Sequence, residues 1–370
     1  MSAEGSKIYT MVYTTYYNRA RVVGLGRGLN MRHFIPVRTA SRSMIDEALR
    51  SSSVSPVSSV ETLPTGERWA ESDYDSDAAP IIVPRSRHGP EVVPRQIFTF
   101  WHDHQPPELV KACIALMRRR HPGWTVTVLD PSNSSLPQPP AGVRSLIAPA
   151  LLSDWYRLAA LAEHGGVWLD ASCITLQPVT AWIDLTSTAL QGFKSPGEGE
   201  AHMEGWAFGA VRGDAFVAAW RDEMGRALSM GLNDSNLPAA YCSQESVQQA
   251  CPEALRSHLP YLCIHAAWCV VRRRMTEVEL RLRSSIALGG PYHYLAANQW
   301  RTRAALLMLL SADASDEGLA KTSLIKLRSC ERQRMPPIGS LAERGSHVAR
   351  ILGGALLFDT LDASRDESTD

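Results

Sequence analysis

Nothing in this chain approaches the ~20 consecutive apolar residues that a bilayer-spanning helix needs, so no transmembrane segment is expected. Polar residues interrupt 8–17, which leaves the N-terminal stretch without a continuous hydrophobic region of the secretory kind. An excess of charge is also missing. The 38 basic side chains balance 38 acidic ones, so neither nucleic acid nor an anionic membrane is recommended as the main partner. The seven cysteines contain no C-x-x-C pair, which argues against a zinc ribbon or a dithiol redox motif; their scatter suits small buried thiols in a reducing compartment. No internal repeat is visible. The expectation is a protein that is cytoplasmic or peripheral to a membrane.

What is present divides unevenly along the chain. At 370 residues and 45% apolar composition there is enough material for a large core. Residues 1–90 do not contribute to it by composition. Arginines are spread through 19–50, serines dominate 51–59, 71–77 is acidic and 80–94 is studded with proline, which together read as a disordered leader or linker. Gly24, Gly26 and Gly28 lack the flanking strand and helix that a phosphate loop needs. Asn133-Ser134-Ser135 and Asn233-Asp234-Ser235 are glycosylation sequons by pattern, relevant only in a secreted protein.

A folded domain is expected over 91–335, followed by a tail over 336–370 that frays toward its acidic end. Residues 96–101 and 124–129 have the apolar and β-branched content of strands, and 108–120 carries apolar residues at helical spacing behind Pro106 and Pro107. A further strand is expected over 188–193. Beyond Trp206 the chain reads as helical, over 214–230, 255–275 and 298–310, with a late strand over 323–327. Alternating strands and helices indicate an α/β fold with a doubly wound sheet.

Residues 149–176, PALLSDWYRLAALAEHGGVWLDASCITL, are the centre of this arrangement. Leu151, Trp155, Leu158 and Ala162 give a helical stripe that Ser153 or Asp154 can cap, and Gly165 and Gly166 can end it in a left-handed conformation. Val167, Trp168 and Leu169 form a short buried strand, and Asp170 stands where that strand leaves the core. Ligands of open α/β sheets bind outside the carboxyl ends of strands, so Asp170 is the first carboxylate of interest. Asp154 and Arg157, three apart, lie on neighbouring helical faces; taken alone they also suit an ordinary salt bridge near a helix N-terminus. His102 and His104 flank Asp103 without further ligands at a metal-binding spacing, and read as solvated loop residues.

The succession S-D-x-x-R, a helix, then G-G-V-W-L-D-x-S resembles glycosyltransferases whose sugar-binding region contains a D-x-D motif, and within them the capsular polysaccharide synthesis proteins. The resemblance covers roughly 94–328 and is strongest over 151–174. It implies a GT-A-like, Rossmann-like nucleotide-diphosphate-sugar transferase fold with helical additions. The implied activity moves a hexose from a nucleotide-sugar to a glycan, lipid-linked or small-molecule acceptor, with retention of configuration. The alternative on the same fold is a non-catalytic protein that binds nucleotide-sugar or glycan.

By the same resemblance, Asp170, Asp154 and Arg157 are the catalytic residues. The donor-binding set is Trp101, Ser153, Asp154, Arg157, Trp168 and Asp170, with the Trp101 ring against the base. A divalent cation, Mn²⁺ or Mg²⁺, is implied at Asp170 and Ser172. Ser172 stands in place of the second aspartate, and a hydroxyl is a weaker ligand than a carboxylate for a hard cation. Glu204 and Trp206, in a segment resembling the family's acceptor side, are the candidate acceptor contacts. Lys326, in a late K-L element, is within the family's reach of a phosphate, although a surface lysine is the plainer reading.

Overall fold

The computed structural model describes residues 92–131, 136–143, 147–196, 202–230, 238–311, 319, 321–341 and 346–355. The expected leader over 1–90, both sequons and the acidic 359–370 lie outside the described residues.

Eight strands are described: β1 Gln96–Phe100, β2 Thr125–Leu129, β3 Gly166–Leu169, β4 Cys173–Thr175, β5 Leu190–Lys194, β6 Met203–Ala210, β7 Leu280–Ser284 and β8 Leu324–Lys326. Six of them form one sheet in the order β2-β1-β3-β6-β5-β7, while β4 and β8 form a separate antiparallel pair. β1 is parallel to both β2 and β3, and β5 is parallel to β7. β6 alone is reversed, antiparallel to β3 and to β5. The architecture is mixed α/β with a mainly parallel sheet, where the sequence suggested a doubly wound one.

Successive residues on the central strands face opposite layers, as a pleated strand requires. Ile97, Val167, Leu169 and Ala207 belong to one apolar core; Phe98, Trp168 and Phe208 belong to the other. The first core is covered by helix α1 (Glu108–Arg120) and later segments. The second is covered by α2 (Pro149–His164), α3 (Ala215–Ser229) and α4 (Cys263–Arg274).

Local sequence explains several boundaries. Asp214 caps α3, its carboxylate accepting from the Val217 N–H at 2.9 Å. Helix α2 starts earlier than Ser153 or Asp154 could cap it: Ala148 is its N-cap and Pro149 its first residue, so both polar residues sit one turn further in. From Trp155 to Ala162 every residue of α2 is buried, Arg157 included, which marks a helix enclosed on all sides.

Gly165 and Gly166 end α2, but not in the left-handed helical conformation expected. Gly165 has φ 67° and ψ −161°, a combination essentially reserved for glycine, and Gly166 has φ 95°. A Cβ on Gly165 would lie 2.4 Å from the Arg212 backbone nitrogen, and one on Gly166 would lie 2.7 Å from the Gln96 carbonyl oxygen. One residue therefore joins α2 to β3.

Other expectations are corrected. Residues 207–210, at the start of the region read as helical beyond Trp206, join 203–206 in β6, the longest described strand, because all eight positions are buried in the sheet centre. The helix expected over 255–275 is two, Glu253–Arg256 and α4. Ile338, Leu341, Val348 and Leu352, beyond the expected boundary at 335, pack into the first core. Among the described residues no helix is long and apolar enough to cross a membrane.

Candidate active site

Because β1 and β3 are parallel, their carboxyl ends open on the same edge of the sheet. The reversed β6 brings its amino end to that edge, and the Asp170 N–H donates to the Trp206 carbonyl at 2.9 Å. The β4/β8 pair adds a fourth component, since Lys326 lies opposite Cys173. A cleft of about 350 Å³ opens there, lined among others by Trp101, Ser153, Asp154, Asp170, Glu204 and Lys326. Its size is that of a small-molecule site.

Arg157 is the hub of the cleft. Its Nη1 donates to Asp154 Oδ1 at 2.7 Å and its Nη2 to Asp170 Oδ1 at 2.8 Å, while only 7% of the side chain is exposed. The guanidinium lies 5.1 Å from the centroid of the Trp168 ring. Gly205 makes this approach possible, because a Cβ there would lie 2.7 Å from Arg157 Nη1. Trp168 is fully buried beneath this group rather than lining the cleft. Its indole N–H donates to Asp170 Oδ1 at 2.9 Å, so it positions the carboxylate.

The two aspartates share one arginine and differ in acidity. Burial pushes the Asp154 carboxyl up to about 6, against the pull of Arg157. Burial acts on Asp170 in the same direction, but Lys326 and Arg157 outweigh it and hold that carboxyl at about 2. Glu204 is raised to about 7, chiefly by burial, although it accepts from the Trp206 indole N–H at 2.9 Å. At neutral pH the cleft thus holds one firmly ionised carboxylate and two that exchange protons more readily.

Ser172 does not present its hydroxyl as a metal ligand. Its Oγ donates to the Leu327 carbonyl at 3.2 Å and accepts from Lys326 Nζ at 3.3 Å and from Arg332 Nη1 at 3.2 Å. Asp170 Oδ2 accepts from Lys326 Nζ at 2.5 Å. The oxygens that would hold a divalent cation face an ammonium and a guanidinium, so these residues do not fit that ion. No group of three His, Cys, Asp or Glu among the described residues could hold a metal.

The remaining sequence candidates are distributed as follows. Trp101 lines the cleft at the end of β1, with the Arg332 guanidinium 5.9 Å from its ring centroid. Ser153, on α2, and Trp206, on β6, also line the cleft. His102 and His104 are exposed loop residues. Lys326 is buried in the site rather than a surface lysine, and Arg332 and His265 were missed altogether. His265 lines the cleft with its Nδ1 buried and without a hydrogen-bond partner. No local pattern marks Arg332 or His265, which, like Lys326, arrive from distant segments.

The family model of the capsular polysaccharide synthesis proteins matches residues 82–226. Among curated proteins, the O-glycosyltransferase braB of Annulohypoxylon truncatum is 25% identical over 206 residues, which span 48% of this chain and 45% of that protein. The chain thus covers less than half the length of this relative. Among solved structures, the PaToxG glycosyltransferase aligns with a TM-score of 0.34 at 14% identity, over 72% of this chain and 88% of that one. From residue 82 to residue 226, a span that includes Asp154, Arg157 and Asp170, the chain is therefore similar to the capsular polysaccharide synthesis proteins and is glycosyltransferase-like.

Proposed function

We propose that this protein is a glycosyltransferase that moves a hexose from a nucleotide-sugar donor to a glycan, lipid-linked or small-molecule acceptor on a GT-A-like fold. The observation that carries the reading is the buried Arg157 held between Asp154 and Asp170 at the carboxyl end of β3, facing a cleft of small-molecule size. Carboxylates at that place accept hydrogen bonds from sugar hydroxyls, and an arginine shared between them fixes their orientation. Trp101, on the neighbouring strand end, offers a ring face for a nucleotide base.

In this reading the donor sugar lies over Asp154 and Asp170. As the glycosidic C–O bond breaks, its electron pair goes to the diphosphate, and charge grows on the phosphate oxygens. In the same reading Glu204, raised to about 7 and lining the same cleft, accepts a hydrogen bond from an acceptor hydroxyl. Among the described residues no side chain is an evident nucleophile, so the natural course is front-face displacement, with retention and with the leaving phosphate receiving the acceptor's proton.

The test is hydrolysis of a panel of nucleotide-sugars by the purified protein, followed by release of nucleoside diphosphate. Release from one donor that disappears in Asp170→Ala supports the reading. A panel that neither binds nor turns over would refute it. Binding without release, with or without candidate acceptors, would instead favour a non-catalytic sugar-nucleotide binder, a reading consistent with the engagement of Ser172 by cations.

A further inference from the structure

Resting on the donor reading above, we propose that Lys326 and Arg332 supply the positive charge for the donor's diphosphate, with the Lys326 ammonium standing between Asp170 and Ser172 where a divalent cation would otherwise be held.

The placement of Lys326 is built rather than incidental. Strand β8 pairs with β4 so that Lys326 lies opposite Cys173, directly after the Asp170–Ser172 turn. The Leu327 N–H donates to the Ser172 carbonyl at 3.3 Å, while the Ser172 hydroxyl donates to the Leu327 carbonyl. Two reciprocal bonds therefore fasten the segments, and the Tyr294 hydroxyl donates to the Lys326 carbonyl at 2.8 Å. The ammonium at the end of this tether bonds Asp170 Oδ2 and Ser172 Oγ. An ammonium has three hydrogens, so one remains for a ligand in the cleft it lines.

Arg332 complements it. One guanidinium nitrogen bonds Ser172 Oγ, and the plane hangs near the Trp101 ring, between the putting-on point of a base and the sugar-side carboxylates. The diphosphate of a bound donor has to cross that interval. Arg328, the third cation of this wall, is otherwise occupied: its Nε and Nη2 both donate to Glu331, at 2.9 and 2.7 Å. The available charge is therefore Lys326 and Arg332, the donors suited to phosphate oxygens.

A divalent cation placed on Asp170 and Ser172 would meet the Lys326 ammonium at contact distance. Like charges at that range in a partly enclosed site repel strongly. Ser172 is consistent with this arrangement, since its hydroxyl accepts from the ammonium without adding a second carboxylate to attract a divalent cation. On this account the serine is the partner of a lysine rather than a weakened metal ligand.

The experiment is calorimetric binding of UDP, GDP, ADP and dTDP to the full chain, in EDTA and in Mn²⁺, repeated with Lys326→Ala and Arg332→Gln. We expect one nucleoside diphosphate to bind with the same affinity, within about twofold, in both buffers, and each variant to bind about tenfold or more weakly. Arg332 is only half-buried, so Arg332→Gln carries the test if Lys326→Ala does not fold. Binding that requires Mn²⁺, or that is unchanged in Arg332→Gln, overturns the proposal and leaves the donor reading standing. No binding of any of the four in either buffer overturns both.

Discussion

Two buried ionic clusters in this protein start from the same local pattern, an acid three residues before an arginine on a helix, and end with opposite arrangements. On α3, Glu223 is the buried centre. Its carboxylate accepts from Arg226 at 2.7 Å, from the Tyr241 hydroxyl at 2.7 Å and from Arg274 at 2.8 Å, while both arginines extend toward solvent. On α2 the arginine is the buried centre, and the carboxylates of Asp154 and Asp170 turn toward the cleft. Burial would raise the Glu223 carboxyl, but Arg226 and Tyr241 hold it below the usual range; Asp154, with fewer compensating partners, stays raised to about 6. A saturated acid under half-buried arginines stabilises a fold. A buried arginine beneath acids that line a cleft leaves acceptors facing a ligand, at a cost to stability.

The contrast can be broken by substitution. The largest effect is expected for Asp170→Asn, which weakens the tie to Lys326 and Arg157: donor turnover should fall by about 10³-fold, measured as nucleoside diphosphate release. Turnover within tenfold of the parent would remove Asp170 from the reaction. Next comes Glu223→Gln, which leaves two arginines without their carboxylate. Chemical denaturation should show a loss of about 3 kcal/mol, and a loss below 1 kcal/mol would show that the α3 cluster is not structural.

Gly205→Ala sharpens the comparison from the other side. The added methyl meets Arg157, whose two carboxylate partners leave it little freedom, so turnover should fall by roughly 10-fold to 100-fold with little change in stability. An unchanged rate would mean that Arg157 can move without consequence.

The smallest effect concerns Asp154 and pH. Its folded-state carboxyl is raised above the unfolded value, so the folded protein retains the proton longer. Between about pH 4 and pH 6 ionisation therefore erodes stability as pH rises, the reverse of Glu223, whose contribution is lost as pH falls. Asp154→Asn should consequently raise unfolding free energy at pH 8 by on the order of 1 kcal/mol. A destabilised Asp154→Asn at that pH would place Asp154 with the structural acids.

The part of the cleft formed by Asp154, Arg157 and Asp170 was legible in the sequence because it is local. The spacing from Asp154 to Asp170, with two glycines between, specifies a helix, a sharp reversal and a strand end within one short segment. Helix α1 and the Asp214 cap of α3 were legible for the same reason. β6 was not, because Met203-Glu204-Gly205-Trp206 has neither alternation nor β-branched residues; it is a strand because the sheet buries both of its faces. β7 did carry a readable signal, the alternation Leu280-Arg281-Leu282-Arg283, matched by its half-buried pattern. Lys326 reaches Asp170 across 156 positions of sequence; the strand that carries it was legible, but its pairing with the three-residue β4 was not, because no local propensity specifies a long-range pairing. Ser172 was read as a metal ligand because nothing local shows the two cations that reach its hydroxyl.

The single residue between α2 and β3 has a consequence for how such a protein can diversify. With Gly165 and Gly166 pressed against neighbouring backbone, helix and strand behave as one rigid bracket, and the separation of its two carboxylates is set inside that bracket. Insertions elsewhere can recast what the cleft admits without retuning the spacing of Asp154 and Asp170. On the proposed function, the grip on the sugar and the choice of acceptor are then set by different segments of the chain.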